Sequence, residues 1–313
     1  MDAEPLTRPS PDPRFPVPPP EGILNKIFLN DHGVRGIWRL LIYATLVAAL
    51  GFCALMVVQF TVSPGRDIFS IGYWFPHEML SFVVVFGAAL VMAQIEKRSP
   101  GEYGLPLTAA FGKLFWQGCL IGLAEVSALI GLIAASGAYS FGDVALHGKE
   151  VLRWGLTWAV LFVFVGLFEE FLFRGYTQYT LAESIGFWPS AIILSLLFGR
   201  VHLGNPGESW TGVAGVVMIG LVFAFALRRT GNLWLAVGWH ASFDFGETFL
   251  YSVPDSGIVF QGHLSNATLH GPDWKTGGTA GPEASVFSFL VMGILAVVIH
   301  YLFPAKEPEP TQN

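Results

Sequence analysis

Between Gly36 and Val62 a single charged side chain, Arg39, interrupts a run that is otherwise uncharged and largely apolar. A bilayer's hydrocarbon core is about 30 Å thick and takes roughly 20 helical residues to cross. Comparable runs recur at 72–94, 113–136, 152–183, 187–203, 211–229, 233–252 and 283–303. Lipid offers no partner for a backbone N–H or C=O, so each run is expected to close its own hydrogen bonds as a helix. The fold class that follows is all-α: a polytopic membrane bundle of about eight transmembrane helices. Composition agrees, with 53% hydrophobic and 13% charged residues, where a soluble domain carries about 25% charged.

Five regions follow along the chain. Residues 1–22 read as a disordered, proline-rich cytoplasmic tail, because Pro5, Pro9, Pro11, Pro13, Pro16 and Pro18 to Pro20 oppose regular helix. No cleavable signal peptide is expected, since no basic stub precedes a short apolar region. Residues 23–110 hold the amino-terminal transmembrane helices, opened by a short interfacial helix over 23–32. Residues 111–252 form the expected catalytic core, 253–282 a glycine-rich extracytoplasmic loop, and 283–313 the last transmembrane helix with a cytoplasmic tail. Cys53 and Cys119 both lie in apolar runs, which speaks against a disulfide framework or a cysteine metal cluster. No basic block of nucleic-acid type is present, so no nucleic-acid partner is expected, and the apolar runs make the lipid bilayer the expected one.

Lys and Arg set the orientation. Arg8, Arg14, Lys26, Arg35, Arg39, Lys97, Arg98, Lys113, Arg174, Arg228, Arg229 and Lys306 fall on one side of the expected spans. Arg66, Lys149, Arg153, Arg200 and Lys275 fall on the other. The excess marks the cytoplasmic face. It predicts a multi-pass protein of the cell (inner) membrane with both termini cytoplasmic.

Ionisable residues inside spans are costly and therefore functional candidates. The fourth span contains Glu169, Glu170 and Arg174 amid Phe and Leu. Glu170 and Arg174 are four apart and share a helix face as an ion pair. Glu169 sits about 100° round the helix and is directed to another partner. The fifth span ends in Phe198-Gly199-Arg200-Val201-His202. Counted from a turn near Ser184 to Gly186, Glu169 lies about sixteen residues before and His202 about sixteen after, which predicts similar depth in an antiparallel pair. In the seventh span His240 and Asp244 are again four apart. His240 is expected some 10–12 Å below the surface marked by Arg228 and Arg229, so the site would open toward the cytosol. Glu125, His77-Glu78, Arg200 and Glu247 are read as helix contacts or interfacial groups, and His147, His263 and His270 as solvated loop residues.

A carboxylate, two imidazoles and Asp244 at one depth suit water activation. A desolvated carboxylate acts as a general base near neutral pH. Histidine shares the proton or holds the water, and a second histidine donates to the oxyanion. Glu169, His202 and His240 equally suit a divalent metal such as zinc. The residues alone leave both mechanisms open.

Glu-Glu-x-x-x-Arg at 169–174, Phe-x-x-x-His at 198–202 and His-x-x-x-Asp at 240–244, in this order on successive apolar helices, resemble the CPBP family. That family holds the type II CAAX prenyl endopeptidases and the bacteriocin-processing or immunity proteins of the Abi group. The resemblance covers about residues 150–250. It implies an intramembrane (metallo)endopeptidase of a peptide or membrane-protein substrate, with Glu169 as catalytic base together with His202. Glu170, Arg174 and Phe198 are supporting, and His240 with Asp244 completes the site. Asp244 departs from the family pattern, since eukaryotic members usually carry Asn there. An ionised Asp would repel an oxyanion, which favours a metal-binding or proton-sharing role. Two other functions fit the same residues: a non-enzymatic immunity or peptide-binding protein, and a proton-coupled transporter. No internal repeat between the chain's halves supports the transporter.

Overall fold

The computed structural model describes residues 27–30, 33–61 and 70–304. The expected proline-rich tail at 1–22 and the end of the carboxy-terminal tail lie outside the described residues. So do 23–26, 31 and 32 of the expected interfacial helix. Ile27 and Phe28 are helical, but β1 (Leu29–Asn30) pairs antiparallel with β2 (Gly33–Val34), so that helix does not continue to residue 32.

The helices run α1 (Gly36–Thr61), α2 (Ile71–Glu96), α3 (Lys113–Ala135), α4 (Lys149–Arg174) and α5 (Tyr176–Ile185). Then come α6 (Phe187–His202), α7 (Trp210–Thr230) and α8 (Trp234–Phe245), which passes into a π-turn at Gly246–Leu250. A single turn, α9 (Asp273–Thr276), precedes α10 (Val286–Leu302). Two residue pairs, β3 (Tyr139–Ser140) and β4 (Thr268–Leu269), form an antiparallel bridge. The molecule is therefore a multi-pass helical membrane protein. Among the described residues five helical stretches are long and apolar enough to cross a bilayer: Gly36–Phe60, Ile71–Glu96, Lys113–Ala135, Lys149–Ile185 and Trp210–Thr230. Phe187–His202 and Val286–Leu302 are apolar but shorter, as is α8. The count of about eight crossings is thus carried in full by five stretches only. Exposed apolar side chains such as Phe52, Trp116, Leu120 and Leu196 suit contact with acyl chains. The expected fourth span is interrupted: α4 ends at Arg174, and α5 starts anew after Gly175.

The chain divides into two compact units. The first comprises residues up to 110 together with 164–194. Here the Tyr43 hydroxyl donates to the Val85 carbonyl (3.1 Å), and the Tyr43 and Tyr176 rings lie 4.4 Å apart. Phe86 packs on Phe171 at 5.2 Å. One end of this unit is tied by charge. Arg39 grips both oxygens of Glu96 (2.8 and 2.5 Å) and reaches Glu183 (2.5 Å). Arg98 binds Glu183 at 3.0 Å, while the Tyr176 and Tyr103 hydroxyls donate to Glu96 at 2.6 and 3.3 Å.

The second unit comprises 111–163 and 195 onward. Its centre is α3 against α8, brought to backbone contact by glycine. A Cβ on Gly118 would stand 2.1 Å from the Leu235 carbonyl oxygen, and one on Gly238 would stand 2.1 Å from that of Phe115. In lipid, where no hydrophobic effect drives helices together, such close approach maximises dispersion contact. Val222, Phe223 and Ala226 of α7 pack with Leu235, Ala236 and Trp239 of α8 and Ile299 of α10.

The segment after α8, expected as a plain polar loop, folds back on this unit. Phe260 packs on Trp158 (5.0 Å), and Val253 joins Val126 and Ile130. Three loops meet where a Cβ on Gly207 would lie 2.4 Å from the Gly257 carbonyl oxygen and 2.7 Å from that of Thr279. Asn205 Nδ2 donates to the Ser256 carbonyl (2.9 Å) and Gly257 N–H to that of Ala280 (2.7 Å).

Candidate active site

In the first unit α4 carries the paired carboxylates. Glu170 and Arg174 are fully buried, and Arg174 Nη1 donates to Glu170 Oε1 at 3.1 Å. The four-residue spacing places both on one face, as expected. The ion pair lets a guanidinium and a carboxylate share one apolar environment. Glu169, the next residue round the helix, is only half-buried, and its charge acts on Arg174.

In the second unit a cavity of about 50 Å³ gathers Phe198, His202, His240 and Asp244, four of the residues singled out from sequence. His202 closes α6. Its Nδ1 faces the Phe198 carbonyl at 2.9 Å, and its ring meets the Phe198 ring at 4.6 Å, nearly perpendicular. A carbonyl accepts only, so Nδ1 carries a proton. His240 Nε2 lies 3.4 Å from Asp244 Oδ2, one helical turn on. The His240 ring stacks on Phe223 at 5.7 Å. The supporting part of Phe198 is now concrete: its carbonyl holds a proton on His202 Nδ1 and its ring walls the cavity.

Several wall residues were not singled out from sequence. Glu125, read as a helix contact, lines the cavity and accepts from Trp239 Nε1 at 2.5 Å. Ser256 and Glu283 enter from the folded-back segment. Glu283 was assigned to the start of the last span, but α10 begins at Val286 and Glu283 sits in the short helical turn before it. Burial, then the nearby carboxylates of Asp255 and Glu208, push its pKa well above the usual carboxylate range. Burial also pushes Glu208 up, against the pull of the Ser209 N–H and of His202. Arg200 is exposed and Glu247 fully buried.

The cavity takes residues from α6, α7, α8 and α10 and from the folded-back segment, while Arg228 and Arg229 lie in the last turn of α7.

Among the described residues no three His, Cys, Asp or Glu side chains are arranged to hold a metal ion. Zinc wants three convergent protein ligands in a catalytic site, and the donors as placed do not fit it.

Residues 152–246, just under a third of the chain, match the family described as type II CAAX prenyl endopeptidase Rce1-like. No curated protein and no solved structure matches the chain. The matched stretch holds Glu169, Glu170, Arg174, Phe198, His202, His240 and Asp244, whereas Glu125, Ser256 and Glu283 lie outside it. Through this stretch, set in a multi-pass helical frame, the chain is similar to the type II CAAX prenyl endopeptidases of the Rce1-like family.

Proposed function

We propose that the protein is a CAAX-protease-like intramembrane endopeptidase that hydrolyses a peptide bond with water activated by Glu169 and His202. The observation that carries this reading is the cavity holding His202, His240 and Asp244, inside a segment matched to a protease family. Glu169 accepts a proton from water as the water oxygen bonds to the scissile carbonyl carbon. The carbonyl electron pair moves to oxygen. His202, its Nδ1 proton held by the Phe198 carbonyl, orients the water through Nε2. As the C–N bond breaks, the proton held by Glu169 passes to the leaving amine.

His240 faces the oxyanion as a donor. Asp244, 3.4 Å from its Nε2, acts through His240 as a positioning residue whose charge supports the protonated imidazole. The substrate is a peptide or a segment of a membrane protein. The Lys and Arg distribution supports a cell-membrane protein with both termini cytoplasmic.

The test is turnover of quenched fluorogenic peptides by the purified protein in nanodiscs. Glu169→Ala and His202→Ala are each expected to lower kcat by about 10²- to 10⁴-fold. His240→Ala should cost about 10²- to 10³-fold. Equal turnover by all four proteins would remove the endopeptidase. Retained peptide binding without turnover in the native chain would favour the immunity or peptide-binding reading.

A further inference from the structure

The cavity wall carries carboxylates and histidines but no Lys or Arg. Glu125, Asp244 and Glu283 line it beside His202 and His240. Carboxylates continue behind the wall. Glu247 is fully buried, and neither of its carboxylate oxygens has a hydrogen-bond partner among the described residues. The charges that act on it are those of Glu283, Asp255, Asp244 and Glu125. Glu283 adds a buried Oε1 without a hydrogen-bond partner, though Ser256 holds this carboxylate by its hydroxyl and its backbone N–H. Asp255 accepts from the Thr248 hydroxyl at 3.0 Å. Glu208 lies within electrostatic reach of both Glu283 and His202.

Carboxylates collected in an apolar interior need protons or a cation to balance them. A bare metal ion does not suit this set, since no three donors converge. An organic cation asks less of geometry, because its charge is spread and its stem is apolar. The remaining walls are Phe198, Phe223, Trp239, Phe243, Ile219 and Met292. They offer aromatic faces to a cation and apolar surface to an aliphatic stem.

We propose that this cavity is a specificity pocket for a lysine or arginine side chain of the substrate, held close to the scissile bond. The proposal rests on the endopeptidase reading and adds the substrate's chemistry to it. It differs from recognition of a purely apolar tail, for which the carboxylates would be a penalty. The bound cation displaces protons that Glu283 and its neighbours hold in the empty pocket. Preference for the basic side chain therefore strengthens as pH rises through the titration of Glu283 and Glu208, with Glu125, Asp244, His202 and His240 facing the same space and the charges of Asp255 and Glu247 close behind.

The experiment uses the full-length protein in nanodiscs and peptides identical but for one residue flanking the scissile bond: Lys, Arg, norleucine, Gln or Glu. The expected result is a kcat/KM at least tenfold higher for Lys and Arg than for norleucine, with Glu slowest. Glu283→Gln should compress the Lys-to-norleucine ratio to within about threefold. Cleavage that favours norleucine, or treats it as equal to Lys, overturns the pocket and leaves the protease standing. If no peptide is cleaved, fluorescence anisotropy of the labelled Lys and norleucine peptides on the Glu169→Ala protein decides. Tighter binding of the Lys peptide then supports the pocket while the protease falls, and equal or absent binding overturns the pocket. If Glu283→Gln does not fold, the ratio on the native chain and on Asp255→Asn serves in its place.

Discussion

The two units bury charge in opposite ways. In the first, Arg39 and Arg98 face Glu96 and Glu183, two cations against two carboxylates, and Tyr103 and Tyr176 donate to Glu96 as well. Every long contact there has an answering group, and the knot ties α1 to the end of α2 and to α5. In the second unit the charges of Glu283, Asp255, Asp244 and Glu125 all act on the buried Glu247, and no Lys or Arg is in the cavity wall. Charges neutralised within the chain hold a fold in one arrangement. Charges left for protons or a visiting group mark a place where something binds. The contrast separates a structural polar cluster from a functional one without reference to any family.

The largest expected effect tests the first half of this comparison. Arg39→Ala leaves Glu96 and Glu183 buried with half their counter-charge, and should cost about 3–5 kcal/mol, read as thermal unfolding in detergent. Arg39→Lys should recover only part, because an ammonium cannot grip both oxygens of Glu96 as the guanidinium does. An unchanged melting temperature for Arg39→Ala would reduce the knot to an ordinary surface ion pair.

The sequence exposed the helices well because lipid imposes a simple rule: long apolar runs must be helical. The expected span at 36–62 and the turn at Ser184 to Gly186 are met by α1 and by the α5–α6 junction at Gly186. Four-residue spacings were equally readable, so the Glu170–Arg174 and His240–Asp244 pairs followed from helix geometry. The residues missed are those whose place depends on tertiary folding. Glu283 and Ser256 reach the cavity only because the 251–285 segment folds back, and its glycines and prolines looked like a plain loop. Phe260 against Trp158 was the available signal: an aromatic in a polar segment needs a surface to cover. Glu125 was visible as a carboxylate in a span, but only the α3–α8 contact through Gly118, Gly122 and Gly238 sets it beside Trp239. Arg39 and Glu96 were counted as cytoplasmic charges or passed over, since ion pairs between distant helices leave no periodicity.

Glu247→Gln is the converse of Arg39→Ala and should have the opposite sign. Gln keeps the shape and cannot take on the charge that burial and the neighbouring carboxylates oppose. Folded-state stability is expected to hold or rise, by on the order of 1 kcal/mol. The same thermal measurement reads it. A loss as large as that of Arg39→Ala would mean that Glu247 is a bonded strut, and the two units would no longer differ in kind.

The smallest effect is a slope. Burial and neighbouring carboxylates raise the proton affinity of Glu283 above its unfolded value of 4.5, and Glu208 is shifted the same way. The folded state therefore holds protons that the unfolded state has released. Stability from these groups is full below pH 4.5 and is lost as pH rises toward the raised folded pKa, at no more than about 1.4 kcal/mol per pH unit for each group. Melting temperature measured from pH 4.5 to 8 should fall, and Glu283→Gln should flatten the fall, since an amide has no proton to lose. A ligand that binds only the folded state stabilises it by mass action. A saturating lysine-bearing peptide should consequently reverse the slope in the native protein and leave it little changed in Glu283→Gln. A norleucine peptide that reversed the slope equally would show that the protons answer to the fold alone and not to a cation.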